Sequence, residues 1–454
     1  MLIVSLFLTL LFLLLCAYYV YNKNLLHPVV IILFILTFSA LWAVIGVDYF
    51  GIDISYLTYF TIVLSIIFWA IGDLIAHFIF FKYKKKWSLR ENVPKYEFSP
   101  SMVFILFSSL IVLFVCIKYM ERFIYIGQHM GGDNFIAYYG LARRYTTEVQ
   151  DHIHPDYWLP VGKFVVILNI VSRNLSLALV YIFLYNNIFF KKVKKRLLLP
   201  FLLYIPVTIF TTGRFALFRM VLIIAILYIL LRYQKLGWGK GNGYLIKKIA
   251  KFGVIFVIIF YSLGFVRSNG VKVTKDQIFA SFCTYFGSQI YGLNHVLVNP
   301  IDQSEYFAQE TIPILYVILK KFEYYIPMKP LNAKSWSWKN GYSNTYTALK
   351  KPINDFGIIG MLITRIFLGL IYGIIIRKRM FVDKDILSST SSIFFGVLIF
   401  PLFFYSFADL FYQIIQLDTV ITVSFLFLFD QFYLKRNLNV SIRPTHLARH
   451  SQTL

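Results

Sequence analysis

Charged residues are scarce in this 454-residue chain, at 15% of the total. Soluble domains carry about a quarter, so an ordinary soluble globular protein is excluded. Cysteine is also rare: of the three present, Cys16 and Cys116 lie inside apolar runs, which leaves no disulfide framework to read. The sequence contains no ATP-binding loop, metalloprotease helix or nucleophile elbow. These absences remove the common soluble-enzyme classes and the disulfide-rich secreted classes.

Hydrophobic residues, by contrast, make up 59% of the chain and recur in long runs. About 20 such residues in a row cross the hydrocarbon core of a bilayer as a helix. Eleven runs predict an all-α polytopic membrane protein with about eleven transmembrane helices, within a range of ten to fourteen. The first run lacks a basic n-region and a cleavage site, so it is interpreted as a helix rather than a signal peptide. The spans are 2–20, 28–47, 57–81, 101–120, 161–190, 197–213, 214–232, 252–267, 356–376, 388–408 and 411–434.

Lysine and arginine are distributed unevenly among the connecting segments. Five segments that fall on one side of the eleven spans hold 25 of the 45 basic residues. They are 82–95, 191–196, 232–251, 377–384 and 435–449. On the other side, 47–56 has two acids and no base, and 121–160 has five acids and three bases. The positive-inside rule makes the first set cytoplasmic.

This topology explains about half of the net charge of +24, so no nucleic-acid partner is expected. It also places the 89 residues from Arg267 to Asp355, with 10 basic and 6 acidic residues, outside the cytoplasm. The predicted organisation is N-terminal helices over 1–266, a large outer loop over 267–355, C-terminal helices over 356–434 and a basic cytoplasmic tail over 435–454.

The outer loop is predicted to lie against the membrane. Apolar residues recur at helical spacing over 311–325 beside two lysines, which is typical of short amphipathic helices at an interface. Trp336 and Trp338 are interpreted as interfacial anchors, with stacking on sugar rings as the alternative. Prolines and a glycine break the segment, so residues 336–346 are predicted to be irregular structure covering a cavity.

Two arginines lie deep within predicted spans. Arg365 is nine residues into its helix, roughly 13 Å at about 1.5 Å per residue, and Arg173 is deeper. A charge at that depth is unfavourable by about 3 kcal/mol unless it faces the bundle interior or a wet cavity. The structural hypothesis pairs Arg365 with Asp418, and the functional one puts it in contact with substrate.

Further arginines stand at the outer ends of spans. Arg214 follows Thr212 and Gly213, Arg219 is about 140° round the same helix, and Arg267 lies at the mouth of the next span. Each could extend to lipid headgroups. They could instead form a clamp for a diphosphate, because a guanidinium is permanently charged and binds phosphate oxygens in a fork.

Two other motifs carry little weight. The four glycines within 237–243 follow no predicted strand and indicate a flexible linker. His152 and His154 have a metal-like spacing, but they have no further ligands nearby, and no metal site is predicted.

Several residues together resemble a known family. Thr212-Gly213-Arg214 opens a span, a large outer loop comes late in the chain, and Asn344-Thr-Tyr-Thr precedes Asp355-Phe-Gly-Ile-Ile-Gly360. This arrangement resembles the O-antigen polymerase (Wzy) family of oligosaccharide repeat-unit polymerases. The resemblance covers the topology and about 30 motif residues. Asn344 or Tyr346 stands where the related O-antigen ligase pattern has a histidine.

The resemblance implies a metal-independent membrane glycosyltransferase of the GT-C type, without a cofactor, in the bacterial cytoplasmic membrane. Its substrates would be undecaprenyl-diphosphate-linked oligosaccharides, joined on the periplasmic or extracellular face. Membrane lipids and a chain-length regulator are candidate partners. Arg214, Arg219, Arg267, Asn344 and Arg365 are the predicted substrate-binding residues.

The predicted catalytic residues are Asp355, Tyr346 and Glu310, with Glu323 and His295 as further candidates for the general base. Asp355 has a simpler alternative role, because a carboxylate at a helix entrance caps the N-terminus.

Two other functions remain open. A ligase that transfers finished glycan to another acceptor would share the fold and the chemistry. A lipid-linked oligosaccharide flippase would also be polytopic and basic, although its outer loops are usually short.

Overall fold

The computed structural model of the protein is almost entirely helical. It describes residues 1–84, 97–144, 161–211, 214–248, 250, 251, 253, 275–299, 304–322, 336–338, 341–381, 389–411, 414 and 416–434. The helices of these ranges are α1 (Leu2–Val20), α2 (Pro28–Ile45), α3 (Val47–Phe50), α4 (Tyr56–Lys84), α5 (Met102–His129), α6 (Phe135–Arg144), α7 (Lys163–Phe190), α8 (Leu199–Phe210), α9 (Arg214–Leu236), α10 (Lys275–Phe282), α11 (Ser288–Val298), α12 (Pro313–Lys321), α13 (Lys350–Phe381), α14 (Ser389–Ile399) and α15 (Leu417–Phe429). Shorter turns are 3₁₀ at Lys195–Leu198 and Phe400–Phe404, and π at Cys283–Gly287 and Asp430–Leu434.

Seven of the described helices are long and apolar enough to cross a membrane: α1, α2, α4, α5, α7, α9 and α13. They correspond to seven of the eleven predicted spans, so the chain is an all-α membrane protein. Among the other four, α8 has only 12 residues and α15 has 13, and 389–404 forms a shorter apolar helix. The span at 252–267 lies outside the described residues, apart from Gly253.

Helices α4 and α13 pack against each other through glycines. A Cβ at Gly72 would meet the backbone of Ile366, and one at Gly369 would meet the backbone of Trp69. Small residues let two membrane helices approach closely, where the hydrophobic effect does not drive association. The α4–α13 pair forms the structural centre of one half of the molecule.

Buried apolar side chains form two large clusters. One joins α1, α2, α4, α11 and α13, and the other joins α5, α7, α8 and α15, while helices α9 and α14 contribute buried side chains to both. Leu222, Tyr228 and Phe403 pack against both clusters. The 3₁₀ turn containing Phe403 therefore lies between the two halves.

Polar contacts tie the loop helix α11 to the outer ends of the first helices. Asn294 accepts hydrogen bonds from the backbone N–H of Ser55 and the hydroxyl of Thr58, both at 2.8 Å. In the same turn, Asp53 accepts the N–H groups of Leu2 and Ile3 and so caps α1. The acid-bearing turn and the large loop thus share one end of the bundle, as the charge pattern predicts.

The centre of the large loop differs from the prediction. The helix expected within 311–325 is confirmed as α12, but residues 336–346 are not simply irregular. Trp336–Trp338 (β1) and Gly341–Ser343 (β2) form an antiparallel hairpin. The two tryptophans are 2% and 8% exposed and pack on each other, and Trp338 also packs on Phe50, so they are not interfacial anchors.

Candidate functional site

The clearest charged site within the bundle joins α7, α9 and α15. Arg173 binds one carboxylate oxygen of Asp418 at 2.7 Å, and Arg219 approaches the other at 3.5 Å. Arg173 also donates to the hydroxyl of Thr422 at 3.1 Å. We call Arg173, Arg219 and Asp418 the shared-aspartate site. All three helices begin at the predicted outer side, so the site lies towards that face.

Polar and aromatic groups surround the shared-aspartate site. The hydroxyl of Tyr204 donates to Asn169 at 2.8 Å, and Asn169 in turn donates to the hydroxyl of Tyr119 at 3.1 Å. The guanidinium of Arg219 stacks 5.5 Å from the ring centre of Phe400. The position of Arg219 inside the bundle contradicts the reading of this side chain as a lipid-headgroup contact.

The shared-aspartate site carries more positive than negative charge. Two guanidiniums meet one carboxylate, and the Arg219 Nε has no hydrogen-bond partner among the described residues. The side chains of Arg173, Arg219 and Asp418 remain 18%, 15% and 23% exposed. Buried charges are normally paired, so a surplus guanidinium with partial access can bind an anion.

A second cluster lies in the large loop around Asp355. Its carboxylate accepts the backbone N–H of Thr311 at 2.7 Å, the N–H of Glu310 at 3.1 Å and the hydroxyl of Ser304. Helix α13 is broken at Gly357 (φ 68°, ψ −177°), so its apolar part begins just after Asp355, near the predicted residue 356. The Asp355 carboxylate accepts its hydrogen bonds from the loop before α12 rather than from N–H groups of that helix. The side chain thus holds the loop before α12 in place through these three donors.

The other predicted catalytic residues lie beside Asp355. Glu310 accepts a hydrogen bond from the Asn354 side chain at 2.9 Å and is half-buried. Burial, followed by the negative charge of Glu310, raises the pKa of Tyr346, and the Lys350 ammonium lies 4.1 Å from the Tyr346 ring centre. The fold therefore brings Glu310, Tyr346 and Asp355 together, although 45 residues separate the first from the last.

The predicted pairing of Arg365 with Asp418 is wrong, because Asp418 binds Arg173 and Arg219. Arg365 is fully buried, donates to the carbonyl of Ala348 at 3.0 Å and stacks 5.3 Å from the ring centre of Tyr405. A guanidinium at this depth in the membrane is expected to face the interior of the bundle, and Arg365 does so. Without exposed surface, it cannot touch a substrate in this conformation, so it positions the surrounding loop.

Asp409 is the buried carboxylate near Arg365 that sequence reasoning missed. Burial raises its pKa, and the charges of Arg365 and Lys351 oppose that shift. Its side chain accepts the backbone N–H of Phe411 at 3.1 Å. Its signal in the sequence was an acid between two apolar runs.

The remaining predicted residues are distributed differently. Arg267 and Glu323 lie outside the described residues, as do His152 and His154. Arg214 begins α9, but its side chain is not among those the structure describes. Asn344 is exposed after β2, and His295 contacts Trp336 and Asn299.

Within the described ranges, no group of three or more His, Cys, Asp or Glu residues has the arrangement of a metal site. Comparisons with protein-family models, curated proteins and solved structures find no match to this chain.

Proposed function

We propose that this protein joins lipid-linked oligosaccharide repeat units into a polysaccharide at the outer face of the cytoplasmic membrane. The observation that carries the proposal is the shared-aspartate site, where two arginines inside a membrane bundle meet one carboxylate. A diphosphate attached to a membrane lipid has the charge that such a site binds and lies in the bilayer that surrounds it.

The reaction is a glycosyl transfer with a diphosphate leaving group. The sugar hydroxyl of an acceptor unit attacks the anomeric carbon of the donor, and the bond from that carbon to the diphosphate oxygen breaks. The hydroxyl proton passes to a base, and undecaprenyl diphosphate departs. Its negative charge grows in the transition state, so Arg219 and Arg173 lower the barrier by stabilising that charge.

Glu310 is the proposed base. One of its carboxylate oxygens is oriented by Asn354, and the structure gives its side chain no further partner among the described residues. Asp355 positions this loop through the N–H groups that it accepts. Tyr346 lies beside the base and forms a hydrogen bond to the sugar.

The proposal also includes eleven spans, a GT-C arrangement and the large loop on the periplasmic or extracellular side. It keeps Arg214 and Arg267 as diphosphate-binding residues on the grounds of their positions in the sequence alone. A chain-length regulator would associate with the membrane bundle.

The direct test supplies purified protein with an undecaprenyl-diphosphate-linked repeat unit and separates the products by length. A ladder of longer glycans is expected. Transfer only to a different acceptor would instead identify a ligase, and lipid translocation without turnover would identify a flippase.

The base is tested by Glu310→Gln, which should reduce turnover about 10²-fold or more with the unfolding temperature unchanged. The matched control is Glu305→Gln, at an exposed carboxylate of the same loop, which should retain wild-type turnover. Equal turnover by the two variants would remove Glu310 from the mechanism.

A further inference from the structure

A cavity of about 410 Å³ lies at the end of the bundle opposite the large loop. It is formed where α1 ends, α2 begins, and α4 and α13 approach their C-terminal ends. Its lining includes Asn24, His27, Asp73, Arg377 and Met380. None of these residues takes part in the glycosyl transfer proposed above, and the cavity is independent of that proposal.

One wall of the cavity is a closed ionic pair. The Arg377 guanidinium binds both oxygens of Asp73, at 2.6 and 2.9 Å, and donates to the carbonyl of Gly373 at 3.0 Å. The two charges cancel, and both side chains are less than 10% exposed. The cavity wall therefore offers no surplus charge to an ionic ligand.

Two other buried side chains in the lining lack proper hydrogen-bond partners. Asn24 is 1% exposed, and in the described part of the chain the side-chain NH₂ has only the Met380 sulfur, at 3.7 Å, as acceptor. His27 is 4% exposed, and its Nδ1 has no partner among the described residues. Buried polar groups are normally satisfied, so both atoms indicate a binding site for a polar ligand.

The two groups require complementary partners. The Nε2 of His27 lies 3.6 Å from a carboxylate oxygen of Asp73, which favours the proton on Nε2 and leaves Nδ1 as an acceptor. Burial lowers the pKa of His27 to about 4, so the ring is neutral. Nδ1 therefore requires a hydrogen-bond donor from a ligand, whereas the Asn24 amide requires an acceptor.

A hydroxyl group both donates and accepts, whereas a phosphate monoanion mainly accepts and an ammonium only donates. The exposed part of the lining combines the polar residues Asn22 and His77 with the apolar side chains of Val20, Leu74 and Phe81, which are 72%, 51% and 63% exposed. On a membrane protein such exposed apolar side chains face lipid. The occupant therefore has a hydroxylated head and an apolar tail.

We propose that this cavity binds the headgroup of a lipid that carries free hydroxyls, with its acyl chains leaving past Val20 and Phe81. Asn24 donates to a headgroup hydroxyl, and a hydroxyl donates to Nδ1 of His27. The same chemistry occurs in the glycerol of phosphatidylglycerol and in the sugar of a glucosyl diacylglycerol.

The test is native mass spectrometry of the detergent-purified protein with lipids of identical acyl chains. The probes are phosphatidylglycerol, glucosyl diacylglycerol, phosphatidylethanolamine and phosphatidylserine. We expect one retained molecule of a hydroxylated lipid, preferred about tenfold over phosphatidylethanolamine, the effect of one or two net hydrogen bonds. Preference for one of the two hydroxylated lipids identifies the source of the headgroup.

Two variants address the cavity itself. Asn24→Asp keeps the oxygen that accepts the N–H of Leu26 at 3.0 Å but removes the NH₂ donor. His27→Phe keeps a ring against Tyr21, which lies 3.5 Å away between ring centres, but removes the acceptor. Both should abolish the preference for glucosyl diacylglycerol, the uncharged probe.

The matched control is Asn134→Asp, the same chemical change at an exposed position that accepts the N–H of Ala137. It should bind like the wild type. Retention of phosphatidylserine as strongly as phosphatidylglycerol would mean binding by charge alone, and no retained lipid would mean water only. Either result, or unchanged binding by both cavity variants, overturns the proposal.

Discussion

Two arginine–aspartate sites lie inside the same helical bundle and are built in opposite ways. At one end, Arg377 binds Asp73 through two hydrogen bonds, and the side chains are 8% and 2% exposed. At the other, Asp418 divides its oxygens between Arg173 and Arg219, and the three side chains are 15% to 23% exposed. The first site is matched in charge and closed, whereas the second has a surplus positive charge and is partly open.

The difference separates structural roles from functional ones. In a matched buried pair each charge is neutralised by its partner, so the pair needs no further ligand. A surplus guanidinium is stabilised further when an anion arrives, so its energy depends on the ligand. Variants that alter each site separately distinguish the two roles.

Arg377→Met should have the largest effect, because it leaves Asp73 buried without its cation. We expect a loss of about 3–5 kcal/mol in the free energy of unfolding, measured by denaturation in detergent. The double variant Asp73→Leu/Arg377→Met removes both charges and should recover much of that loss. Equal unfolding of the single and double variants would show that the pair is not a matched structural unit.

Arg219→Gln should act on catalysis instead. Polymer formation should fall about 10²- to 10³-fold, as on removal of other electrostatic stabilisers, while stability changes little. Arg232→Gln, a change at the opposite end of the same helix α9, is the control and should retain activity. A fully active Arg219→Gln enzyme would contradict the assignment of the surplus charge.

Asp418→Asn should increase the surplus positive charge at the shared-aspartate site. We expect inorganic pyrophosphate to bind about tenfold more tightly, a difference of about 1.4 kcal/mol, in calorimetric titrations. Asp276→Asn removes an exposed acid from α10 and should not alter the affinity. Unchanged pyrophosphate binding by Asp418→Asn would place the anion elsewhere.

Substitution of Glu97 should have the smallest effect on stability of these variants. Glu97 too is shared by two cations, Lys192 and Lys194, but it lies in a connecting segment outside the long apolar helices, and the Lys192 side chain is 61% exposed. Burial would raise its pKa, but the lysine hydrogen bonds outweigh this and hold the pKa below its usual value.

The contribution of Glu97 is therefore present above its unfolded pKa, about 4.5, and is lost as the pH falls through the lower folded value. Glu97→Gln should reduce stability by less than about 1 kcal/mol at neutral pH, with no change in pyrophosphate binding. Unfolding curves at neutral and acidic pH test this expectation. A larger loss would mean that a carboxylate shared by two cations stabilises the protein just as strongly outside the membrane helices.

The fold was predictable wherever one helix carries the signal. The apolar runs of α1, α2 and α4 are long enough to identify membrane helices from local sequence. The inward position of Arg365 also followed from its depth, because lipid cannot solvate a guanidinium. The predicted span 356–376 begins at the break in α13, where the backbone of Gly357 (φ 68°, ψ −177°) separates the apolar helix from residues 350–356.

The candidate site was predictable only in part. Glu310, Tyr346 and Asp355 were each selected from sequence, and the fold brings them together. The role of Asp355 could not be predicted, because it depends on backbone N–H groups of a loop 44 and 45 residues away. Arg173 was noted for its depth, but its partner Asp418 lies 245 residues further along the chain.

The amino-acid sequence is enough to identify a helical membrane protein and to predict that its deep arginines face inward. Those conclusions rest on local quantities: the length of an apolar run and the energy of a charge in hydrocarbon. The packing of the helices is needed to show that Asp73 binds one arginine while Asp418 is shared by two. Ion pairing is set by distances between atoms on different helices, and packing alone fixes those distances.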